Sequence, residues 1–235
     1  MNQLEKELNR ITIKVSKMWD AVIFQVVSGK EALVKSDYAL AKKVSRRGKK
    51  VNKFDVKIDR LVENFFAIFN PVAVDLRWAL AILKINANLE RIGDAAESVA
   101  LLIREIETPL NPKLVEATRL IEMYDAAIQM LHDVHEAYDE KDTKKAYLVL
   151  QKDELLNTIY RNTDAVLIQY IRENPNDVAH ALKVSAIIRK LERIGDQITN
   201  ISEEIIFYVD AKVIKHAKVR PAKSLKNNGQ NSAEN

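Results

Sequence analysis

Two copies of one short motif carry the side chains best suited to chemistry in this sequence. The hexapeptide Leu-Glu-Arg-Ile-Gly-Asp occurs at residues 89–94 and again at 191–196. Each copy places a glutamate four residues before an aspartate, Glu90 before Asp94 and Glu192 before Asp196. On a helix such a pair shares one face and repels by about a few tenths of a kcal/mol unless a cation lies between the carboxylates. A bound metal ion is one such cation.

A further acidic pair, Asp55 and Asp59, has the same spacing in the preceding helical stretch. This pair lies beside the apolar stripe of its helix, whereas Glu90, Asp94 and Glu97 lie opposite theirs. An adjacent helix could therefore bring the two pairs together. Four oxygen donors, in a chain without cysteine, suit Mg²⁺, Mn²⁺, Fe or, less well, Zn²⁺.

Two simpler interpretations of these acids and of the motif remain open. The acids could form a solvated face paired with nearby cations such as Arg91, Arg193 and Lys57. A glycine inside a helix costs about 1 kcal/mol relative to alanine, so Gly93 and Gly195 indicate that something approaches the backbone closely. That neighbour is either a packed helix or a ligand.

The sequence does not indicate an enzyme. Di-iron carboxylate bundles use inward-facing Glu-x-x-His motifs, but here the acids are four residues apart, face outward and have no histidine three residues on. Neither a nucleophile with its base nor a glycine-rich phosphate loop is recognisable. His132 and His135 are interpreted as a helix-surface pair rather than a chelating pair. We predict a regulatory metal-binding protein.

The elements that must position these residues are helices. The 235 residues include only 5 Gly and 5 Pro, and Ala, Leu, Ile, Lys and Glu dominate, which favours helix over strand. Breakers fall at Gly29, 70–71, 109–112 and 174–175. They predict six helices, at residues 2–28, 37–69, 74–106, 112–138, 142–172 and 176–209.

An internal duplication organises these helices. The apolar stripe of the third helix recurs in the sixth 102 positions later, and that of the second recurs in the fifth at an offset of 105. The predicted fold is all-α: two tandem three-helix bundles, residues 1–108 and 109–210, related by a pseudo-twofold axis. Because the connector around 107–111 is short, we expect the bundles to pack side by side.

The charge of the chain is concentrated at its C-terminus. Residues 211–235 hold five Lys, one Arg and one Glu, so the rest of a chain with net charge +4 is close to neutral. We predict a disordered basic tail over 211–235 and no nucleic-acid binding. The N-terminus lacks the apolar stretch of a signal peptide, and no run of about 18 apolar residues occurs. A soluble, cytoplasmic protein without direct membrane insertion is expected.

At its duplicated hexapeptide the sequence resembles the PhoU family, the accessory proteins of bacterial phosphate-specific ABC transporters. The resemblance spans roughly residues 4–209. The Glu/Asp-x-x-x-Asp signatures of that family are matched at 55–59, 90–94 and 192–196. Further similar stretches lie at 51–59, 75–77, 130–134 and 200–209.

The resemblance implies a cytoplasmic negative regulator of phosphate uptake and of the phosphate-starvation regulon. Its implied partners are the ATPase subunit of a phosphate ABC transporter and a phosphate-sensing histidine kinase, and we expect a homodimer. Some family members bind multinuclear iron or zinc clusters on the bundle surface. Metal ions (Fe, Zn, Mg or Mn) are therefore expected, and an organic cofactor is not.

The resemblance also implies which residues would hold metal, and the two repeats differ. In the first repeat the residues are Asp55, Asp59, Glu90, Asp94 and Glu97. The first repeat has Gly48 and Ser98 where the family often has Asp and Asn, and the second repeat has Tyr160 where the first has Asp55. The second site would rely on Asp153, Asp164, Glu192, Asp196 and Asn200.

A metal-free function shares nearly every feature of this interpretation. In that alternative the chain is a helical scaffold whose acidic faces dock the Lys and Arg side chains of a basic partner. Metal analysis of protein purified without chelator or metal-affinity resin separates the two.

Overall fold

The computed structural model describes residues 2–214, and within them the protein is helical and has no β-strand. The all-α prediction is confirmed. A short 3₁₀ helix, Pro175–Asp177, precedes the last α-helix. The α-helices are α1 (Gln3–Lys35), α2 (Tyr38–Phe69), α3 (Ala73–Arg104), α4 (Pro112–Ala117), α5 (Leu120–Glu140), α6 (Thr143–Glu173) and α7 (Val178–Asp210).

Side-chain caps begin several of these helices where the sequence offers them. The Asp37 side chain accepts a hydrogen bond from the Leu40 amide, and Asn111 accepts one from the Lys113 amide. Asp142 caps α6 in the same way. Each cap provides an acceptor for a backbone N–H that has no partner within the helix, so the predicted starts at 37, 112 and 142 lie within a residue of the observed ones.

The predicted end of the first helix at residue 28 is wrong, because α1 continues through Gly29 to Lys35. A Cβ at position 29 would lie 3.1 Å from the hydroxyl oxygen of Tyr124, a buried residue of α5. Gly29 therefore permits a close approach of two helices rather than ending one. The sequence signal of a breaker and that of a packing glycine are the same.

The predicted single helix over 112–138 is also wrong, because it is divided into α4 and α5. Arg119 adopts a left-handed backbone conformation with φ of 54°. Its guanidinium donates hydrogen bonds to the Glu122 carboxylate at 2.6 and 2.7 Å. In the sequence, apolar residues continue at three- and four-residue spacing past this position, as Leu114, Ala117, Ile121 and Tyr124, so periodicity could not reveal the break.

The helices pack in the same manner in each repeat. In the first, α2 packs against α1 and α3, and in the second, α6 packs against α5 and α7. The two repeats meet along α3 and α7, and α1 also contacts α5. One contiguous apolar core runs through both. Lys84 of α3 also donates a hydrogen bond of 2.9 Å to the buried Glu204 of α7.

Trp19 lies at the contact between α1 and α5 and is fully buried. Its ring stacks on His135 with centroids 4.7 Å apart and on Tyr138 at 5.3 Å. His135 therefore belongs to an aromatic stack between the repeats, and its interpretation as part of a helix-surface pair is wrong. Burial lowers the pKa of His135 below its usual value, so the neutral ring is favoured in this stack.

No helix within residues 2–214 combines the length and apolar character needed to cross a membrane. Of the tail predicted over 211–235, residues 211–214 follow α7 without regular structure. The prediction for 215–235 falls outside the described residues.

Candidate functional site

The acidic pairs of α2 and α3 lie on adjacent helices, and their charges interact. We call Asp55, Asp59, Glu90 and Asp94 the first carboxylate cluster. The pKa of Asp55 is raised by burial first, then by the charge of Asp59 and also by that of Asp94 on α3. Carboxylates from two helices therefore interact electrostatically in this cluster.

A residue that the sequence analysis missed, Asn86, holds the α2 pair in place. Its amide nitrogen donates hydrogen bonds to Asp55 Oδ1 at 2.8 Å and to Asp59 Oδ1 at 2.9 Å. Asn86 is fully buried, and its own carbonyl oxygen finds no donor among residues 2–214. A signal was present, because residues 86, 90 and 94 continue one series at four-residue spacing along the same face.

Glu90 is the most perturbed member of the first carboxylate cluster. Its pKa rises from 4.5 to about 6, mainly through burial, then through the charge of Asp94 and a hydrogen bond shared with it. Asp55 adds to the effect, and Arg91 opposes it without cancelling it. The Glu90 carboxyl therefore binds a proton more readily than an ordinary glutamate, and a metal cation would compete with that proton.

The helix that supplies the carboxylate near position 48 differs between the two repeats, and in the first repeat that carboxylate belongs to Glu97. Its carboxylate lies over Gly48 of α2, where any Cβ would overlap Glu97 Oε2. Its pKa is raised by burial and by the charge of Asp94, with Lys49 acting against both. The position equivalent to Gly48 in the second repeat is Asp153. In the first repeat the carboxylate at this level therefore comes from α3, and in the second it comes from α6.

We call Asp153, Glu192 and Asp196 the second carboxylate cluster. Burial raises the pKa of Asp153 from 3.8 to about 6, with the charge of Asp196 adding to it and a hydrogen bond from Asn157 opposing it. Asn157 donates that bond to Asp153 Oδ2 at 2.6 Å. The pKa of Glu192 is also raised, by burial and then by Asp196 and Asp153.

Two residues assigned by resemblance to the second site are not drawn into this cluster. Asp164 is exposed and lies eleven residues beyond Asp153, about 16 Å along α6. The residue matching Asn86 in this repeat is the buried Ile188, which has no amide to hold an acid. Asn200 is half-buried and makes no hydrogen bond to the cluster among the described residues.

The glycines of both hexapeptides are explained by a packed neighbouring helix. A Cβ at Gly93 would lie 3.0 Å from Val51 Cγ1 of α2. One at Gly195 would lie 2.6 Å from Leu156 Cδ2 and 2.8 Å from Asp153 Oδ1 of α6. Val51 and Leu156 are equivalent in the duplication, so the glycine serves the same packing twice.

The two clusters flank a cleft of about 490 Å³ between α3 and α7. Asp94 and Asp196 line it together with three cations, Arg91, Lys190 and Arg193. Within residues 2–214 no ion pair of 4 Å or less joins these cations to the clusters. The cations weaken the electrostatic repulsion without neutralising it.

No three His, Asp or Glu side chains within the described residues are arranged as a ready-made cage for a metal ion. The carboxylates of each cluster lie side by side and interact through their charges. A cation would have to draw them inward by side-chain rotation. Their mutual repulsion and raised pKa values are what such a cation would relieve.

The raised pKa values predict a pH-dependent stability for the metal-free protein. Glu90 and Asp153 bind protons more tightly in the folded state than in the unfolded state. Their protonation therefore stabilises the fold fully below about pH 4, and this stabilisation is lost as the pH rises through about 6. With solvent screening of Glu90 allowed for, we expect a gain of about 1–2 kcal/mol between pH 7 and 5. Thermal melts of wild type and of the Glu90→Gln, Asp153→Asn double variant across this range measure it. An unchanged pH slope in the variant would contradict the assignment.

Comparison with known proteins places both repeats in one family. The family model described as the PhoU domain matches residues 15–103 and again 120–205. The phosphate-specific transport system accessory protein PhoU of Escherichia coli strain K12 is 31% identical over 214 residues, which cover 91% of this chain and 88% of that protein. A PhoU homolog from a Burkholderia species is 29% identical and covers 92% of each chain.

Solved structures give the same result for the fold. The crystal structure of PhoU from Pseudomonas aeruginosa superposes with a TM-score of 0.84 at 29% identity and covers 89% of this chain and all of that one. The phosphate transport system regulatory protein PhoU from Streptococcus pneumoniae superposes with a TM-score of 0.81 at 23% identity, over 90% of this chain and 99% of that one. This second match is a similarity of fold.

Proposed function

The chain belongs to the PhoU family, and from that membership we propose that it is a negative regulator of phosphate uptake and of the phosphate-starvation response. The observation that carries this proposal is the match of the PhoU domain to both repeats. Relatives of nearly the same length are named as accessory proteins of phosphate-specific transport systems. An accessory role in phosphate transport follows from these relatives, and we propose that the protein regulates rather than catalyses.

The proposed partners are those expected for such a regulator. One is the ATPase subunit of a phosphate ABC transporter, and the other is a phosphate-sensing histidine kinase, both reached from the cytoplasm. We also propose that the protein forms a homodimer.

Deletion of the gene tests the proposed regulation. We expect phosphate uptake and transcription of phosphate-starvation genes to rise in phosphate-rich medium, because a negative regulator is lost, and a wild-type copy should restore both. Uptake of labelled phosphate and transcript levels measure the effect. A deletion strain that responds to phosphate as the parent does would contradict the proposal.

Metal binding at the first carboxylate cluster is a second part of the proposal. Its support is chemical: four carboxylates on two helices, the raised pKa values of Asp55 and Glu90, and no ion pair to them within residues 2–214. Hard oxygen donors of this kind suit Mg²⁺, Mn²⁺ or iron, and Zn²⁺ less well. Bound metal would supply positive charge that draws α2 and α3 together.

A metal-free scaffold remains the second candidate, and one observation favours it. Asn86 already donates to both α2 carboxylates, so this pair is ordered without an ion. The acidic faces would then dock Lys and Arg side chains of a partner. Elemental analysis of protein purified without chelator or metal-affinity resin distinguishes the candidates, since only the first predicts stoichiometric metal.

A further inference from the structure

The charges of α2 are strongly unbalanced. Its 32 residues carry nine Lys and Arg against three acids, Asp55, Asp59 and Glu63. The acidic clusters described above account for two of those three acids. The cations belong to no site so far described; they are Lys42, Lys43, Arg46, Arg47, Lys49, Lys50, Lys53, Lys57 and Arg60.

Seven of the nine cations share one exposed face. At 100° per residue they fall within an arc of about 100° opposite the buried stripe of α2. From Lys42 to Arg60 they span about 27 Å along the helix, and all seven are exposed. We name them the α2 basic face: Lys42, Arg46, Lys49, Lys50, Lys53, Lys57 and Arg60.

The positive charge of this face is largely uncompensated, although Lys49 lowers the pKa of Glu97 on α3. No member of the α2 basic face forms an ion pair within residues 2–214. On the neighbouring α1, the pKa of Lys14 is lowered by the charge of Lys57 first, and also by Lys17 and Arg10. The basic surface therefore extends from α2 onto α1.

The surface combines its cations with exposed aliphatic side chains. An open depression of about 560 Å³ on the surface of α2 is lined by Lys53, Lys57 and Arg60 with Val56, and no acid lines it. Val56 is 51% exposed, and Ile13 on α1 is 44% exposed beside Lys14. Long basic side chains with aliphatic residues among them are typical of helices that lie on membrane surfaces.

The second repeat shows that helix packing does not require this face. At the offset of 105 that aligns α2 with α6, the seven positions contain no cation and one acid. They are Tyr147, Gln151, Glu154, Leu155, Thr158, Asn162 and Ala165. The duplication preserved the apolar stripe, while the charge of the outer face belongs to the first repeat alone.

We propose that the α2 basic face docks the protein on an anionic lipid bilayer. Fluid anionic lipids can gather under a line of cations, and Val56 with Ile13 can enter the headgroup boundary without spanning the membrane. A second copy of this chain is disfavoured as the partner of the α2 basic face, because a twofold contact through this face would place cations opposite cations. The phosphates of a nucleic-acid duplex could pair with the cations of this face, but a duplex offers no apolar surface to the aliphatic side chains.

This inference goes beyond the proposed function and does not depend on it. Its test is co-sedimentation of the full chain with vesicles at an ionic strength near 0.15 M. We expect binding to phosphatidylcholine vesicles that contain phosphatidylglycerol and none to phosphatidylcholine alone. Lys53→Gln with Lys57→Gln should weaken that binding roughly thirtyfold, because each basic side chain near an anionic surface contributes about fivefold.

A matched variant removes the same charge elsewhere. Lys113→Gln with Arg172→Gln alters two exposed cations of the second repeat that form no ion pair within residues 2–214, and it should bind as the wild type does. Equal binding by wild type and the Lys53, Lys57 variant would overturn the proposal and point to the C-terminal residues. Tighter binding to a DNA duplex than to anionic vesicles at the same salt would overturn it in favour of nucleic acid.

Discussion

Metal-free protein is expected to melt about 5–10 °C higher once a divalent cation occupies the first carboxylate cluster at a hundredfold excess over its dissociation constant. Binding that favours the folded state adds RT ln(1 + [L]/Kd), about 2.7 kcal/mol at that excess. For a chain of this size about 1 kcal/mol moves the melting temperature by 2–4 °C. Differential scanning calorimetry with Mn²⁺, Mg²⁺ or Zn²⁺ measures the shift.

The duplication supplies a matched pair of variants for this prediction. Glu90→Gln with Asp94→Asn should abolish most of the rise, because it removes two of the four carboxylates that α2 and α3 bring together. The metal-free variant should be as stable as the wild type or slightly more so, since a repulsion of about a few tenths of a kcal/mol is relieved. The same changes at Glu192 and Asp196 should leave most of the rise in place.

Two results would count against metal binding at the first carboxylate cluster. One is a Glu90, Asp94 variant that is stabilised by metal as much as the wild type. The other is a metal-free variant that unfolds, which would show that these acids act as structural partners. The second result would favour the metal-free scaffold.

Replacement of Trp19 by alanine is expected to cost about 3–5 kcal/mol of folding free energy. Trp19 is fully buried and stacks on His135 and Tyr138 of the other repeat. The change leaves a cavity at a contact between the repeats and removes both aromatic contacts. Because one apolar core is continuous through both repeats, the protection of backbone amides against hydrogen exchange should fall in both repeats together.

Hydrogen exchange measured by mass spectrometry tests this coupling. In the Trp19→Ala variant, amides of α2 and of α6 should lose protection by similar amounts. Trp19→Phe keeps an aromatic ring in the stack and should cost clearly less. Loss of protection confined to α1, α2 and α3 would show instead that the repeats unfold independently.

Much of the fold could be predicted from the sequence because helices follow local rules. Apolar residues at three- and four-residue spacing predicted most of the helices, and breakers such as those at 70–71 and 109–112 separated them. The two errors, at Gly29 and Arg119, arose because the first depends on a distant contact and the second leaves no mark in the apolar pattern of the sequence. Gly29 packs against Tyr124, which is distant in sequence, and the break at Arg119 leaves the apolar stripe intact.

The family could also be predicted, because the duplicated hexapeptide and its flanking stretches are local patterns. The spacing of the acidic pairs also placed them on the faces of two helices that could meet, and the structure puts α2 and α3 side by side with their acids interacting through charge. Which individual acids meet could not be predicted in full. Asp164 was assigned to the second site by resemblance, and the structure leaves it exposed and outside the cluster.

By itself the sequence determined the helices, the duplication and the outward four-residue acid pairs, because each is set by residues close together in the chain. Tertiary structure alone decided that Asn86 bridges Asp55 and Asp59, and that Glu97 fills the space over Gly48. It also decided that Glu90 and Asp153 have pKa values near 6. The physical reason is that the register between two packed helices and the burial of a carboxyl group depend on contacts across the whole core.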